Sequence, residues 1–183
     1  MDHMRGKARG IERLYLDFDS FFATVEQHFN PSLRGKPVGV VPLDSPNTGC
    51  IAISREAKML GLKSNTSITI ARDLIPDMIF VVARHDVYVR LHDRILEAIE
   101  TCLPISHVRS IDEVVCELLP SEARQGRALA DRLKQTLREI FSAVLTCSIG
   151  MAPTELLAKI AAERCKPDGF SLIRAEDLPD TLS

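Results

Sequence analysis

The segment Leu14-Tyr15-Leu16-Asp17-Phe18-Asp19 constrains this chain more than any other. Its apolar run reads as a buried strand, and with no intervening glycine or proline the residues from Ser20 to Phe29 take up helical spacing, ending before Pro31. Carboxylates delivered at the end of a core strand are costly to desolvate, so they require a cation, a cap or water. Asp19 or Ser20 at the helix N-cap accounts for one of the polar groups. Asp17, the last strand residue but one, is left without a structural reason, and it marks the place to look for chemistry.

The rest of the chain reads as short alternating elements. Val38–Val41 and Cys50–Ile53 flank the turn-rich stretch from Asp44 to Gly49, as in a hairpin. Arg55–Leu60 and Ile68–Leu74 are short helices, and 78–83 is a strand. His85–Cys102 has helical periodicity, His107–Arg109 and Val114–Leu118 are strands around Ser110-Ile111-Asp112-Glu113, and 120–141 is one long amphipathic helix. A strand over 145–150, a helix over 153–165 with proline at or near its first turn, a Lys166–Gly169 turn and a strand over 170–173 complete the order; the tail from Ala175 is loosely attached. With the small elements of 21–76 set aside as an inserted lobe, this is an α+β fold of the ferredoxin-like type, an antiparallel sheet with helices on one face. That topology puts the first strand beside the hairpin of 107–118, and so Asp17 near Asp112 and Glu113.

Three such acids within about 4 Å repel by ~4 kcal/mol per pair at an effective dielectric near 20. A cluster of this kind calls for a divalent ion, and oxygen ligands without His or Cys favour Mg²⁺ or Mn²⁺, used with substrate phosphates in phosphoryl or nucleotidyl transfer. The plain alternative, a solvated acidic turn at Asp112-Glu113, suits an isolated pair but does not explain Asp17.

Composition narrows the classes. With 45% hydrophobic and 26% charged residues the chain is globular. No apolar run reaches membrane-spanning length, and the polar, basic start is unlike a signal peptide. Five dispersed cysteines with no C-x-x-C pair suit reduced thiols in a cytoplasmic protein. A net charge of -2 is low in cations for a protein that grips nucleic acid, so either the partner is not nucleic acid or the strongly basic part lies elsewhere.

The run from Asp17 to Glu26, then Ser110-Ile111-Asp112-Glu113, Ser148-Ile149-Gly150-Met151-Ala152, Leu157-Ala158-Lys159-Ile160-Ala161 and Lys166-Pro167-Asp168-Gly169, resembles the Y-family lesion-bypass DNA polymerases. Asn47–Ala52, Glu56-Ala57-Lys58 and Gly61-Leu62-Lys63 look most like the bacterial SOS-mutagenesis branch. The resemblance covers about residues 12–173 and implies a palm domain (11–20 and 77–175) and a fingers domain (21–76). Residues 1–10 then read as a tag or disordered segment, and 176–183 as the start of a thumb; the chain reads as a fragment or natural short form.

By the same resemblance Asp17, Asp112 and Glu113 are catalytic and hold two Mg²⁺ ions, which Mn²⁺ can replace, with the Phe18 carbonyl as a further ligand. Phe21, Phe22, Arg55, Lys58 and Lys159 bind the nucleotide, and Phe22 is the steric gate that excludes a ribose 2′-OH. Core packing for Phe22 and a solvated Lys159 are the plain alternatives. Arg55 and Lys58 stand where many members carry Tyr and Arg, which replaces a hydroxyl by a cation and a bidentate fork by a point charge. The implied partners are primer-template DNA, dNTP and, through missing regions, a sliding clamp or other replication proteins, with no membrane. A non-catalytic scaffold of the same family is the competing reading. A nucleotide cyclase shares the metal chemistry but would show a Gly-Gly-acidic hairpin.

Overall fold

The computed structural model describes residues 10–177. The expected tag over 1–10 and thumb start over 176–183 therefore lie almost wholly outside the described residues. Two compact units divide the described residues, one formed by 10–17, 99–135 and 147–177, the other by 18–98 and 136–146.

The first unit is built on a five-stranded sheet. Its strands are β1 (Arg13–Phe18), β5 (His107–Ser110), β6 (Glu113–Glu117), β7 (Cys147–Ala152) and β8 (Phe170–Leu172), in the order β5-β6-β1-β7-β8. Without β8 this is the ferredoxin-like order, with β1 beside the β5–β6 hairpin. Strand β6 is antiparallel to β1 with Asp17 opposite Glu113 and Tyr15 opposite Val115, while β8 adds in parallel to β7. Side chains alternate along a strand, so Tyr15, Asp17, Glu113 and Val115 share one face and Leu14, Leu16, Val114 and Cys116 the other. Leu14 and Leu16 are fully buried, each contributing roughly 1.5–3 kcal/mol of apolar burial.

Helix α7 (Glu155–Arg164) covers the face that bears the acids. Its Ala158, Ala161 and Ala162 join Tyr15, Val115, Ala152 and Ile173 in one core cluster. The approach is close because β7 carries Gly150: a Cβ there would lie 2.1 Å from the Ala158 carbonyl oxygen and 2.3 Å from the Ala162 nitrogen. Thr154 caps the helix, accepting from the Leu157 amide at 3.4 Å, so Pro153 lies ahead of the cap rather than in the first turn. The helix expected over 120–141 is two, α5 (Pro120–Arg124) and α6 (Gly126–Ile140). The Glu122 carboxylate accepts from the Leu119 amide at 2.7 Å and closes the start of α5, and Gln125 then leaves helical dihedrals just before the poor helix former Gly126.

The second unit holds a three-stranded sheet, β2 (Val38–Val41), β3 (Ala52–Ile53) and β4 (Ile79–Val82), in the order β3-β2-β4. β2 and β3 form the expected antiparallel pair, and β4 joins in parallel through Val38–Ile79 to Val41–Val82. Helices α1 (Phe21–Phe29), α2 (Arg55–Met59), α3 (Ile68–Leu74) and most of α4 (His85–Glu100) belong to it. Its core gathers Val41, Cys50, Ile53, Ala57, Leu62, Ile68, Ala71, Ile75 and Met78. Ser20 takes the N-cap position of α1 but in a left-handed conformation (φ 50°) and without a side-chain cap bond. The Asp19 carboxylate accepts from the Thr146 hydroxyl at 2.8 Å.

Among the described residues no disulfide forms, and Cys50, Cys116 and Cys147 are buried. No described helix is long and apolar enough to cross a membrane.

Candidate active site

Asp17 and Glu113 meet because two strands of fixed register present them side by side at the end of the sheet. Asp112 comes from the turn before β6, and the Ser110 hydroxyl ties it in, lying 2.7 Å from Asp112 Oδ1 and 3.2 Å from Glu113 Oε2. Three of the expected acids are thus brought to one end of the first unit.

Each strand acid is neutralised by a lysine from the α7 region. Lys166 Nζ lies 2.7 Å from Asp17 Oδ2, and Lys159 Nζ 2.6 Å from Glu113 Oε1 and 5.5 Å from the centre of the Tyr15 ring. Lys159, half-buried and paired, is therefore not a solvated surface lysine. Behind it, Arg109 of β5 grips Glu155 in the first turn of α7 through two bonds of 2.6 and 2.7 Å, anchoring the helix over the sheet.

The two acids titrate differently. Burial raises the Asp17 carboxyl to about 6 even though Lys166 works against the rise; the charges of Glu163 and Asp112 add to it. Burial also opposes ionisation of Glu113, but Lys159 together with the Tyr15 and Ser110 hydroxyls outweighs it and holds this carboxyl below its usual range. Conversely, the bond to Glu113 raises the Lys159 ammonium.

The donor set is all oxygen, which suits a hard dication. In this arrangement the carboxylates turn to their lysines, and among the described residues no three His, Cys, Asp or Glu side chains converge as a metal cage.

The remaining candidates belong to the second unit. The Phe22 ring stacks on Tyr88 (4.6 Å between centres, 20° between planes) and meets His85 edge-on at 5.9 Å. Phe21 is buried, tilted between Phe18 at 5.7 Å and Phe22 at 6.0 Å. Arg55 and Lys58 are exposed on α2. That short helix is held by Ser54, whose hydroxyl accepts from the Val38 and Ala57 amides and donates to the Lys36 carbonyl. Gln27 adds a bond to Glu56 at 3.1 Å.

Sequence reasoning did not single out Lys166, Ser110 or Tyr15 as site residues. Lys166 stands in the Lys-Pro-Asp-Gly motif, but nothing in its local spacing points to Asp17.

Sheet order and an acid cluster at the shared end of two central strands define a palm-type fold. The chain belongs to the impB/mucB/samB family, whose model matches residues 16–163. It is 39% identical over 173 residues to DNA polymerase IV of Moorella thermoacetica, an alignment covering 92% of this chain and 43% of that protein. The crystal structure of DinB from Sulfolobus solfataricus superposes with a TM-score of 0.82 at 32% identity, covering 93% of this chain and 50% of that one. The insertion ternary complex of Dbh DNA polymerase matches with a TM-score of 0.80 and 32% identity, over 93% and 51%. The chain spans about half the length of the relatives it matches.

Proposed function

We propose that this chain is the catalytic core of a template-directed, error-prone translesion DNA polymerase, transferring a nucleotide from dNTP to a primer 3′-hydroxyl. The observation that carries the reading is the register that sets Asp17 against Glu113 with Asp112 tied in through Ser110. Relatives named DNA polymerase IV, and a structural neighbour described as a ternary complex of a DNA polymerase, support it.

We assign 11–20 and 77–175 to the palm and 21–76 to the fingers. Asp17, Asp112 and Glu113, with the Phe18 carbonyl, would hold two Mg²⁺ ions, whose chemistry is to acidify the primer hydroxyl and stabilise charge on the triphosphate and leaving pyrophosphate. The chain's own residues do the positioning. Ser110 orients two of the acids, Lys159 exchanges Glu113 for a phosphate oxygen, and Arg55 and Lys58 offer charge to the outer phosphates. Phe21 would contact the nucleotide beside Phe22. The flat ring of Phe22, backed by Tyr88, leaves no room for a 2′-OH. The DNA partner is primer-template, and a sliding clamp would engage through further sequence.

Primer extension on a lesion-bearing template with Mg²⁺ tests the reading. A fall of at least about 100-fold in Asp17→Ala and Glu113→Ala is expected, and incorporation that persists in both variants overturns it. One observation favours a non-catalytic scaffold instead: both strand acids already have lysine partners and need no metal for their neutralisation. Isothermal titration of Mn²⁺ with dNTP separates the two readings, since a scaffold gives no heat that depends on Asp17.

A further inference from the structure

We propose that a cleft at the far end of the first unit's sheet docks a partner polypeptide segment in which aspartate or glutamate stands beside aliphatic side chains. The cleft holds about 910 Å³ and is lined by residues of the first unit. It opens where β1 begins and β6 ends, at the register position that sets Arg13 opposite Glu117. Asp17 lies at the other end of β1, roughly 13 Å further along the strand. The cleft is therefore separate from the acids and does not depend on the reading of them.

The floor is aliphatic and the walls are fixed. Ile11, Leu118, Leu172 and Ala175 supply the floor. The Glu12 amide donates to the Ala152 carbonyl at 3.1 Å, the Leu118 amide to the Glu12 carbonyl at 2.9 Å and the Ile173 amide to the Met151 carbonyl at 2.9 Å, which ties the strand ends together. The break between α5 and α6 brings both helices to the cleft, one through Ala123 and Arg124, the other through Gly126 and Arg127. A Cβ on Gly126 would lie 2.8 Å from the Met151 sulfur, so α6 starts tight against β7. At the lip Leu119 is 63% exposed while Leu118 beside it is buried, which puts an aliphatic side chain in water next to an apolar floor.

The charges of the rim select the occupant. Glu12 and Glu117 both face Arg13, at 3.9 and 3.5 Å, and Glu176 faces Arg174 at 4.0 Å, so the acids of the cleft serve these two arginines. Arg127 meets Asp131, outside the cleft, at 3.3 Å, and among the described residues no carboxylate lies within ion-pair distance of the exposed Arg124. The excess cation thus sits at the α5–α6 junction, on arginines whose planar fork matches a carboxylate. Among the described lining residues there is no aromatic ring, amide side chain or histidine, so the groups that stack on a nucleobase and read its edge are missing from them. The arginines come from β1, α5, α6 and the segment after β8 instead of converging on one point. An apolar floor inside a charged rim spread over several elements is the anatomy of a polypeptide interface, whereas a single headgroup calls for converging donors.

Selection of displayed random peptides on the whole chain, counter-selected on the Arg124→Ala/Arg127→Ala double variant, tests the assignment, with the enriched peptide then titrated by fluorescence anisotropy. The enriched sequences should join Asp or Glu to Leu, Ile or Val. Arg124→Ala and Arg127→Ala should each weaken the peptide about two- to fivefold, as loss of an exposed ion pair does. Leu119→Asp should weaken it about tenfold or more, because it removes an apolar contact and adds a like charge. Asp17→Asn should bind the peptide as wild type does. Arg124, Arg127 and Leu119 are all exposed, so their variants keep the fold, which thermal melts check. No enrichment over the double variant, enriched peptides without acids, or affinities indifferent to Arg124 and Leu119 overturn the proposal. Sodium decanoate binding more tightly than the peptide assigns the cleft to a small amphiphile. Markedly tighter peptide binding in Leu178→Asp/Leu182→Asp assigns it to the chain's own end, and a dimer in sedimentation velocity that Arg124→Glu dissociates assigns it to a second copy. Each of these three results also overturns the partner peptide.

Discussion

Two buried carboxylates, one in each unit, are held in opposite ways. Glu26 of α1 is 2% exposed and saturated by fixed donors: Arg84 reaches both its oxygens, at 3.1 and 2.6 Å, and the Tyr88 hydroxyl donates at 2.7 Å. Asp17, equally buried, has as its ion-pair partner among the described residues the single amine of Lys166. A planar guanidinium and a phenol locked in the core hold a carboxylate permanently. A lone lysine neutralises a carboxylate while leaving it open to exchange. The comparison separates an acid that builds the fold from an acid whose carboxyl burial raises despite its lysine, and the second kind is where a site belongs.

The largest effect should fall on the saturated acid. Arg84→Ala leaves Glu26 charged and buried with the phenol as its remaining donor, and is expected to cost about 3–5 kcal/mol in urea unfolding. A loss below 1 kcal/mol would erase the contrast. Asp17→Asn should act in the opposite direction. An acid raised in the folded state favours folding below its unfolded pKa, near 4, and that contribution is lost as pH rises through about 6. The variant, resembling the protonated acid, should therefore be the more stable at pH 7.5 by about 3 kcal/mol, with the gain vanishing near pH 4. Thermal melts at the two pH values check this, and a destabilised variant at pH 7.5 would break the comparison. Next in size, Tyr88→Phe removes one donor from Glu26 but keeps the ring under Phe22. It should cost about 1.5 kcal/mol and leave sugar discrimination unchanged, whereas Phe22→Ala should admit ribonucleotides in primer extension. The smallest effect is at Ser20, whose φ of 50° a glycine adopts freely; Ser20→Gly should stabilise by roughly 0.5–1 kcal/mol, read by chemical denaturation.

Local patterns made most of the architecture legible. The periodicity of 85–102 and the punctuation around 68–74 place α4 and α3 within a residue or two, and the strand order brings Asp17 opposite Glu113. The break at Gln125 escaped because the apolar spacing continues across it, while the side chain that closes α5, Glu122, is one polar residue among many. The pairing of β4 with β2 escaped for a related reason: an apolar run announces a strand but not its neighbour.

What the sequence by itself determined is the set of elements and the positions of the acids at strand ends, since periodicity and turn chemistry act over a few residues. Only the tertiary structure decided which cation each acid meets. Lys159 reaches Glu113 across 46 residues, and Arg84 and Tyr88 reach Glu26 across 58 and 62. Such partners are chosen by where sheet register and helix packing bring charges out of water together, and no local pattern records that choice.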